Sequence, residues 1–227
     1  MTTTIDAVII GGGVMGSSIL IKLASRGLTN TILLERDVLG SGSTGRSSGC
    51  VRMHYSNEVH ARMAWQSLDV FRNFDEIVGG SVKNQAAFVE TGYLIFSGDD
   101  DVDAFNSNVA MHQNVGIQTS IISQEDAAEV APGFNLDDCP AIAYEPRSGH
   151  ADPSGTAAAY ASRAREMGAQ IKLQAPATTV EVSSGKVTAV IAAQERIDAL
   201  ESSLDPRDRE AIEQLIADAL EDGDSDL

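Results

Sequence analysis

The chain has 227 residues, enough to bury a substantial core, and its 43% hydrophobic and 22% charged residues place it with globular rather than disordered proteins. Asp and Glu number 33 against 16 Lys and Arg, and the formal net charge of −17 excludes the basic footprint that nucleic acids and anionic membrane surfaces need. No stretch approaches the roughly 18 apolar residues of a membrane span, and two cysteines, Cys50 and Cys139, with four scattered histidines form neither a disulfide framework nor a metal-ligand pattern.

The N-terminus lacks the charged region and apolar run of a signal peptide, so a reducing, cytoplasmic location is the expectation. The charge is uneven. From Ala192 to Leu227 there are 12 acidic and 3 basic residues, so more than half of the net charge lies in the last 36 positions. This asymmetry marks a composition boundary near residue 191.

In chain order, the apolar run Ile5–Ile10 reads as a buried parallel strand ending at a triple glycine. Val14–Ser25 carries Met15, Ile19, Leu20 and Leu23 at helical spacing and closes at Arg26-Gly27. Thr31–Leu34 is a second strand, which completes a strand–helix–strand unit. Leu39–Gly49, rich in Gly and Ser, reads as a loop. The pattern then predicts a helix over Glu58–Val78, a strand or hairpin arm over Ala87–Ser97, an acidic turn at Asp99–Asp103 and a helix from there to Val115. Thr119–Ser123 is strand-like, and Ser123 with Asp126 forms a capping-box signature for a short helix. Asp138–Arg147 is turn-rich with one short strand. Asp152-Pro153 opens a helix that runs over Ala157–Met167 and stops at Gly168. Gln170–Leu173, Thr178–Val182 and Val187–Ile191 read as strands, the last two joined by a Ser184-Gly185 turn. Beyond residue 191, Ile197, Leu200 and Leu204 fall on one helical face. Asp205-Pro206 then caps a second apolar stripe, Ile212, Leu215, Ile216, Ala219 and Leu220, so an acidic helical hairpin is expected over 192–227.

Gly11, Gly13 and Gly16 form GxGxxG between a strand and a helix. The first glycine allows the turn, the second lets backbone approach a pyrophosphate, and the third lets the helix pack on the sheet. The helix N-terminus offers free N–H groups and its positive dipole end to an anion. Glu35, 19 residues after Gly16 and at the end of the second strand, is placed to accept hydrogen bonds from a ribose. An acid there argues against a 2′-phosphate. The motif by itself does not choose between NAD and FAD.

The segment Gly40-Ser-Gly-Ser-Thr-Gly-Arg-Ser-Ser-Gly-Cys-Val-Arg52-Met-His54-Tyr55 resembles the amine-oxidising flavoproteins of the D-amino-acid oxidase superfamily, in particular the sarcosine oxidase/dehydrogenase branch. The resemblance continues through Trp65–Gly80, Glu90-Thr-Gly-Tyr-Leu and Ala143–Pro153, and covers about residues 5 to 191. It implies an α/β fold: a Rossmann-like FAD-binding domain (1–80 and 148–191) with part of an α+β substrate domain (81–147), followed by the helical tail. It implies FAD along Gly11, Gly12, Gly13, Val14, Met15 and Gly16, with its ribose near Glu35 and Arg36. Gly42, Ser43 and Thr44 would lie near the pyrophosphate, and Gly49 to Arg52, Cys50 included, under the flavin ring. Arg46 is a candidate for anion contact beside the cofactor. Arg52 is a candidate for substrate or flavin contact, and His54 for a base or orienting group.

Members of this family transfer a hydride from the carbon beside a secondary or tertiary amine to the flavin, as from sarcosine, and the imine hydrolyses. Related oxidases often carry a second arginine three residues before Arg52, where this chain has Gly49. They also continue through further segments that close over the flavin, which the acidic tail does not resemble. Two readings follow: a subunit whose flavin site is completed by a partner polypeptide, or a shortened, non-catalytic binding or interaction module.

Overall fold

The computed structural model describes residues 3–81, 83, 85–192 and 195–199. The predicted first strand is two, β1 (Thr3–Ile5) and β2 (Ala7–Ile10). They part at Asp6, whose N–H donates to the Asn30 carbonyl at 2.9 Å instead of to a ladder partner. Helix α1 (Val14–Ser25) buries Leu20, Ile21 and Ala24. All four residues of β3 (Thr31–Leu34) are buried, as expected of an apolar run covered on both faces.

A two-residue strand β4 (Cys50–Val51) leads to helix α2 (Glu58–Arg72), capped by Asn57, whose Oδ1 accepts from the His60 N–H at 3.1 Å. The single helix predicted to Val78 breaks at Asn73 (φ −115°, ψ 34°), and a short α3 (Phe74–Ile77) follows with Phe74 turned into the core. Then come β5 (Val89–Glu90), β6 (Tyr93–Ser97), α4 (Val102–Val115), β7 (Ser120–Ile122) and α5 (Gln124–Val130), the last opened by the expected Ser123/Asp126 capping box. Strand β8 (Ala141–Glu145) lies antiparallel between β6 and β7, and β9 (Gly149–His150) lies between β4 and β5.

Helix α6 (Pro153–Glu166) starts where Asp152 Oδ1 accepts from the Ser154 N–H at 2.9 Å, and its buried Ala157, Ala159, Ala161 and Ala164 suit close packing on α1. β10 (Gln170–Lys172) joins β3, which gives a parallel sheet in the order β10-β3-β2. β11 (Ala177–Ser183) and β12 (Lys186–Ala192) form the predicted hairpin, with positive φ at both Ser184 and Gly185.

The tail differs from the sequence reading. Glu195–Ala199 is a strand, β13, parallel to β1 and antiparallel to β12, in a sheet ordered β1-β13-β12-β11. A helix through Ile197 is therefore corrected to a strand. Ile197, 2% exposed, packs with Ile5, Ile32 and Val190. The apolar spacing was compatible with a helix, but an open edge between β1 and β12 takes the segment as a strand. The second helix of the expected hairpin falls outside the described residues.

Candidate functional site

The loop after β2 is shaped by its glycines. Gly11 has φ of 106°, a region that side chains disfavour, and its N–H donates to the Leu34 carbonyl at 2.8 Å. A Cβ at Gly16 would collide with the Gly11 carbonyl oxygen, so turn and helix touch backbone to backbone there. The Gly12 N–H donates to Glu35 Oε2 at 2.6 Å, while Glu35 Oε1 accepts from the Asp37 N–H at 2.9 Å. Glu35 is thus buried and engaged by backbone from both sides, with one lone pair left on each oxygen. The Val14 N–H donates to Thr44 Oγ1 at 2.9 Å, which ties the start of α1 to the Gly/Ser loop.

Two cavities adjoin along this loop. The first, about 530 Å³, is lined by Gly11, Gly13, Met15 and Gly16 on one side and by Glu35, Arg36, Gly42, Ser43 and Thr44 on the other. The second, about 370 Å³, is lined by Val14, Gly49, Cys50 and Arg52, and from α2 by His60, Met63, Ser67 and Phe71. Thr44 lines both. Of the residues singled out from sequence, Gly12 acts through Glu35, Arg46 is exposed on a short 3₁₀ turn, and His54 lines neither cavity. Pro176 and Ala177 in the first cavity, and Tyr55 with the α2 face in the second, were missed. The α2 residues carried a readable signal, an apolar face on a strongly amphipathic helix.

Arg52 donates to the His54 carbonyl, and its guanidinium stands 4.8 Å from the centroid of the Tyr55 ring. Its side chain is therefore oriented before any ligand arrives. Gly49 has φ of 72°, and a Cβ there would collide with the Ala151 carbonyl oxygen, so this backbone path has no room for an arginine at that position. Cys50 is exposed, with Sγ 3.4 Å from Ser48 Oγ and 3.3 Å from Tyr93 Oη. The hydrogen bonds of Ser48 and then Tyr93 hold its thiol below the ordinary range, aided by Arg52. The Tyr93 hydroxyl is pushed up, chiefly by its hydrogen bond with Cys50.

The His54 ring points away from the cavity, 5.4 Å from Phe105 and 4.7 Å from His112 between centroids. Burial first, then His112 and Arg52, pushes its pKa down to about 4. A Glu145 oxygen lies 3.8 Å away, but the environment favours the neutral imidazole.

The sequence model of the FAD dependent oxidoreductase family (DAO) matches residues 6–203. Human mitochondrial sarcosine dehydrogenase is 28% identical over 186 residues, which make up 80% of this chain and 20% of that protein. The sarcosine oxidase subunit beta of Arthrobacter sp is 28% identical over 192 residues, 82% of this chain and 46% of that one. Among solved structures, L-proline dehydrogenase from P. horikoshii superposes with a TM-score of 0.78 at 28% identity, over 88% of this chain and 52% of its own. The chain thus spans from a fifth to about half of the length of these relatives. No helix among the described residues is long and apolar enough to cross a membrane. On the match of its sequence over residues 6–203, with the glycine turn, Glu35 and the α/β fold beneath it, the chain belongs to the FAD-dependent oxidoreductase family.

Proposed function

We propose that this chain holds FAD along the two adjoining cavities and serves in the oxidation of a secondary or tertiary amine or amino acid of the sarcosine type. The observation that carries the reading is the convergence of Glu35, the Gly11–Gly16 turn and Thr44 on the N-terminus of α1. The residues fit the dinucleotide. A Cβ at Gly13 would come within 2.9 Å of Thr44 Oγ1, so the space beside the helix start is open only because that residue is glycine. The first turn of α1 has no acidic residue, so its positive end faces a pyrophosphate unopposed. Glu35 and Arg36 stand at the far end for the ribose.

Bound flavin supplies a hydride acceptor, and the protein supplies orientation and charge. Arg52, steered by the His54 carbonyl and the Tyr55 ring, presents a planar cation to the second cavity and suits a substrate carboxylate. Val51, Met63, Ala64 and Phe71 give that cavity an apolar wall for N-methyl groups. His54 contributes through the carbonyl that holds Arg52 rather than as a base at the substrate.

We divide the chain into a discontinuous FAD-binding part, 1–80 with 148–199, and a substrate part, 81–147, because sheet β6-β8-β7 with α4 and α5 is contributed by the intervening residues. A partner polypeptide completes the site in this reading. The Arthrobacter relative is itself a subunit, and apolar Ile10 and Met15, which line the first cavity, are exposed. Two free cysteines suit a reducing, cytoplasmic setting.

The test is the flavin absorption spectrum of the purified chain, alone and with its partner, followed by anaerobic addition of sarcosine. Retained FAD that bleaches with the amine supports the proposal. A chain that holds no flavin in either state ends it.

A further inference from the structure

Behind the wall that carries Arg52, three side chains from separate elements converge: His54 after β4, His112 on α4 and Glu145 at the end of β8. One donor atom from each lies within 4.8 Å of the others, and His54 Nδ1 is 3.8 Å from Glu145 Oε1. His112 and Glu145 have no exposed surface, and the His54 side chain keeps 11%. Each residue also has one buried polar atom with no hydrogen-bond partner: His54 Nδ1, His112 Nδ1 and Glu145 Oε1. An orphaned buried polar atom is costly, and three in one place ask for a common ligand.

The hydrogen bonds these residues do make leave lone pairs free in the cluster. His112 Nε2 is 2.7 Å from the Tyr55 carbonyl, which can only accept, so Nε2 carries the proton and Nδ1 a lone pair. The Tyr55 N–H, 3.3 Å from the same nitrogen, is the longer and losing contact. Glu145 Oε2 accepts from the Met53 N–H at 3.0 Å and the Ser148 hydroxyl at 2.8 Å, which leaves Oε1 over. Metal-binding imidazoles and carboxylates are oriented in this way, through their other atoms. His54 Nδ1 makes no hydrogen bond and is free to coordinate. A single water donates only two hydrogens, and it satisfies all three atoms only if His54 carries its proton on Nδ1.

We propose that His54, His112 and Glu145 bind a divalent cation of the zinc class. Two imidazole nitrogens and one carboxylate oxygen are a zinc donor set, with a fourth position left for water. Tetrahedral ligands about 2.1 Å from zinc lie about 3.4 Å apart, so the 3.8 Å pair of His54 and Glu145 has to close by only about 0.4 Å. The ion locks residues 52–55 from behind and so fixes Arg52 and Tyr55 at the cavity. The assignment stands independently of flavin binding.

Metal analysis of the purified full chain, loaded with zinc and then passed through gel filtration, tests it. The expected result is about one zinc per chain, lost in both His112→Gln and Glu145→Gln, with affinity falling by more than the about 10–100-fold of an outer-shell change. Cobalt in place of zinc should give intense visible bands of a low-coordinate site. Zinc far below one per chain, or equal retention by the variants, overturns the proposal in favour of water or a shared proton. If both buried variants fail to fold, His54→Gln and competition of the wild type against a chromogenic chelator decide: a wild type that yields all its zinc, or a His54 variant that holds zinc equally, overturns it.

Discussion

Met53 and Glu145, 92 residues apart, are joined by a hydrogen bond from the Met53 N–H to Glu145 Oε2 at 3.0 Å, with neither residue exposed. The bond pins the segment that carries Arg52 to strand β8. Glu145→Leu would orphan the Met53 N–H, at about 1–3 kcal/mol, and leave the Ser148 hydroxyl only its long contact with Met53 Sδ, whereas Glu145→Gln keeps an acceptor. Urea unfolding should show a large loss for Leu and a small one for Gln. Equal stability of the Leu variant and the wild type would remove the pin from the account.

The glycine turn makes a contrast between two neighbours in function. Gly16→Ala forces a methyl into the Gly11 carbonyl, and backbone on both sides cannot yield, so about 1–3 kcal/mol of stability and most of the flavin affinity should go. Gly42→Ala meets nothing within 4 Å and has no positive φ, so it should behave as wild type in thermal melting. A tolerated Gly16→Ala contradicts the close approach of turn and helix.

Cys50 should titrate early. Thiolate is the nucleophile, and hydrogen bonds from Ser48 and Tyr93 favour it, so iodoacetamide labelling should reach its half-maximal rate at a pH below the roughly 8.5 of a free thiol. Tyr93→Phe removes one of those bonds and should move the midpoint up. Peptide mass spectrometry separates Cys50 from half-buried Cys139. A Cys50 midpoint at or above the free-thiol value refutes the assignment.

Strand β13 predicts a core role for a residue that the composition placed in a tail. Ile197→Ala should cost about 2–5 kcal/mol, because it empties a site shared with Ile5, Ile32 and Val190. A change within experimental error in the denaturation midpoint would return Ile197 to the surface.

Much of the chain was legible from local signals. The run β2–α1–β3, the capping box at Ser123, the Asp152-Pro153 helix start and the Ser184-Gly185 hairpin all rest on short-range chemistry, and all stand in the fold. Breaks within predicted elements were not legible: Asp6 leaves the strand through a backbone bond to Asn30, and Asn73 leaves helical backbone (φ −115°, ψ 34°) while its side-chain amide donates to the Asp69 carbonyl, neither of which the spacing reveals. His54 lies in the resembling loop, and sequence position alone suggested a group facing the substrate. Its direction was decided by Phe105, His112 and Glu145, which arrive from far along the chain.

The sequence by itself determined that the chain takes a dinucleotide and the turn that receives it, because a GxGxxG turn, its helix start and a following acid act over some 25 residues. Tertiary structure decided what the segment around Arg52 faces. No spacing rule joins residues 54, 112 and 145. Only the packing of β4, α4 and β8 brings their unpaired atoms together, in a place where burial makes each one expensive to leave alone. It likewise decided the fate of the acidic tail's start, where an open sheet edge outweighed a helical pattern.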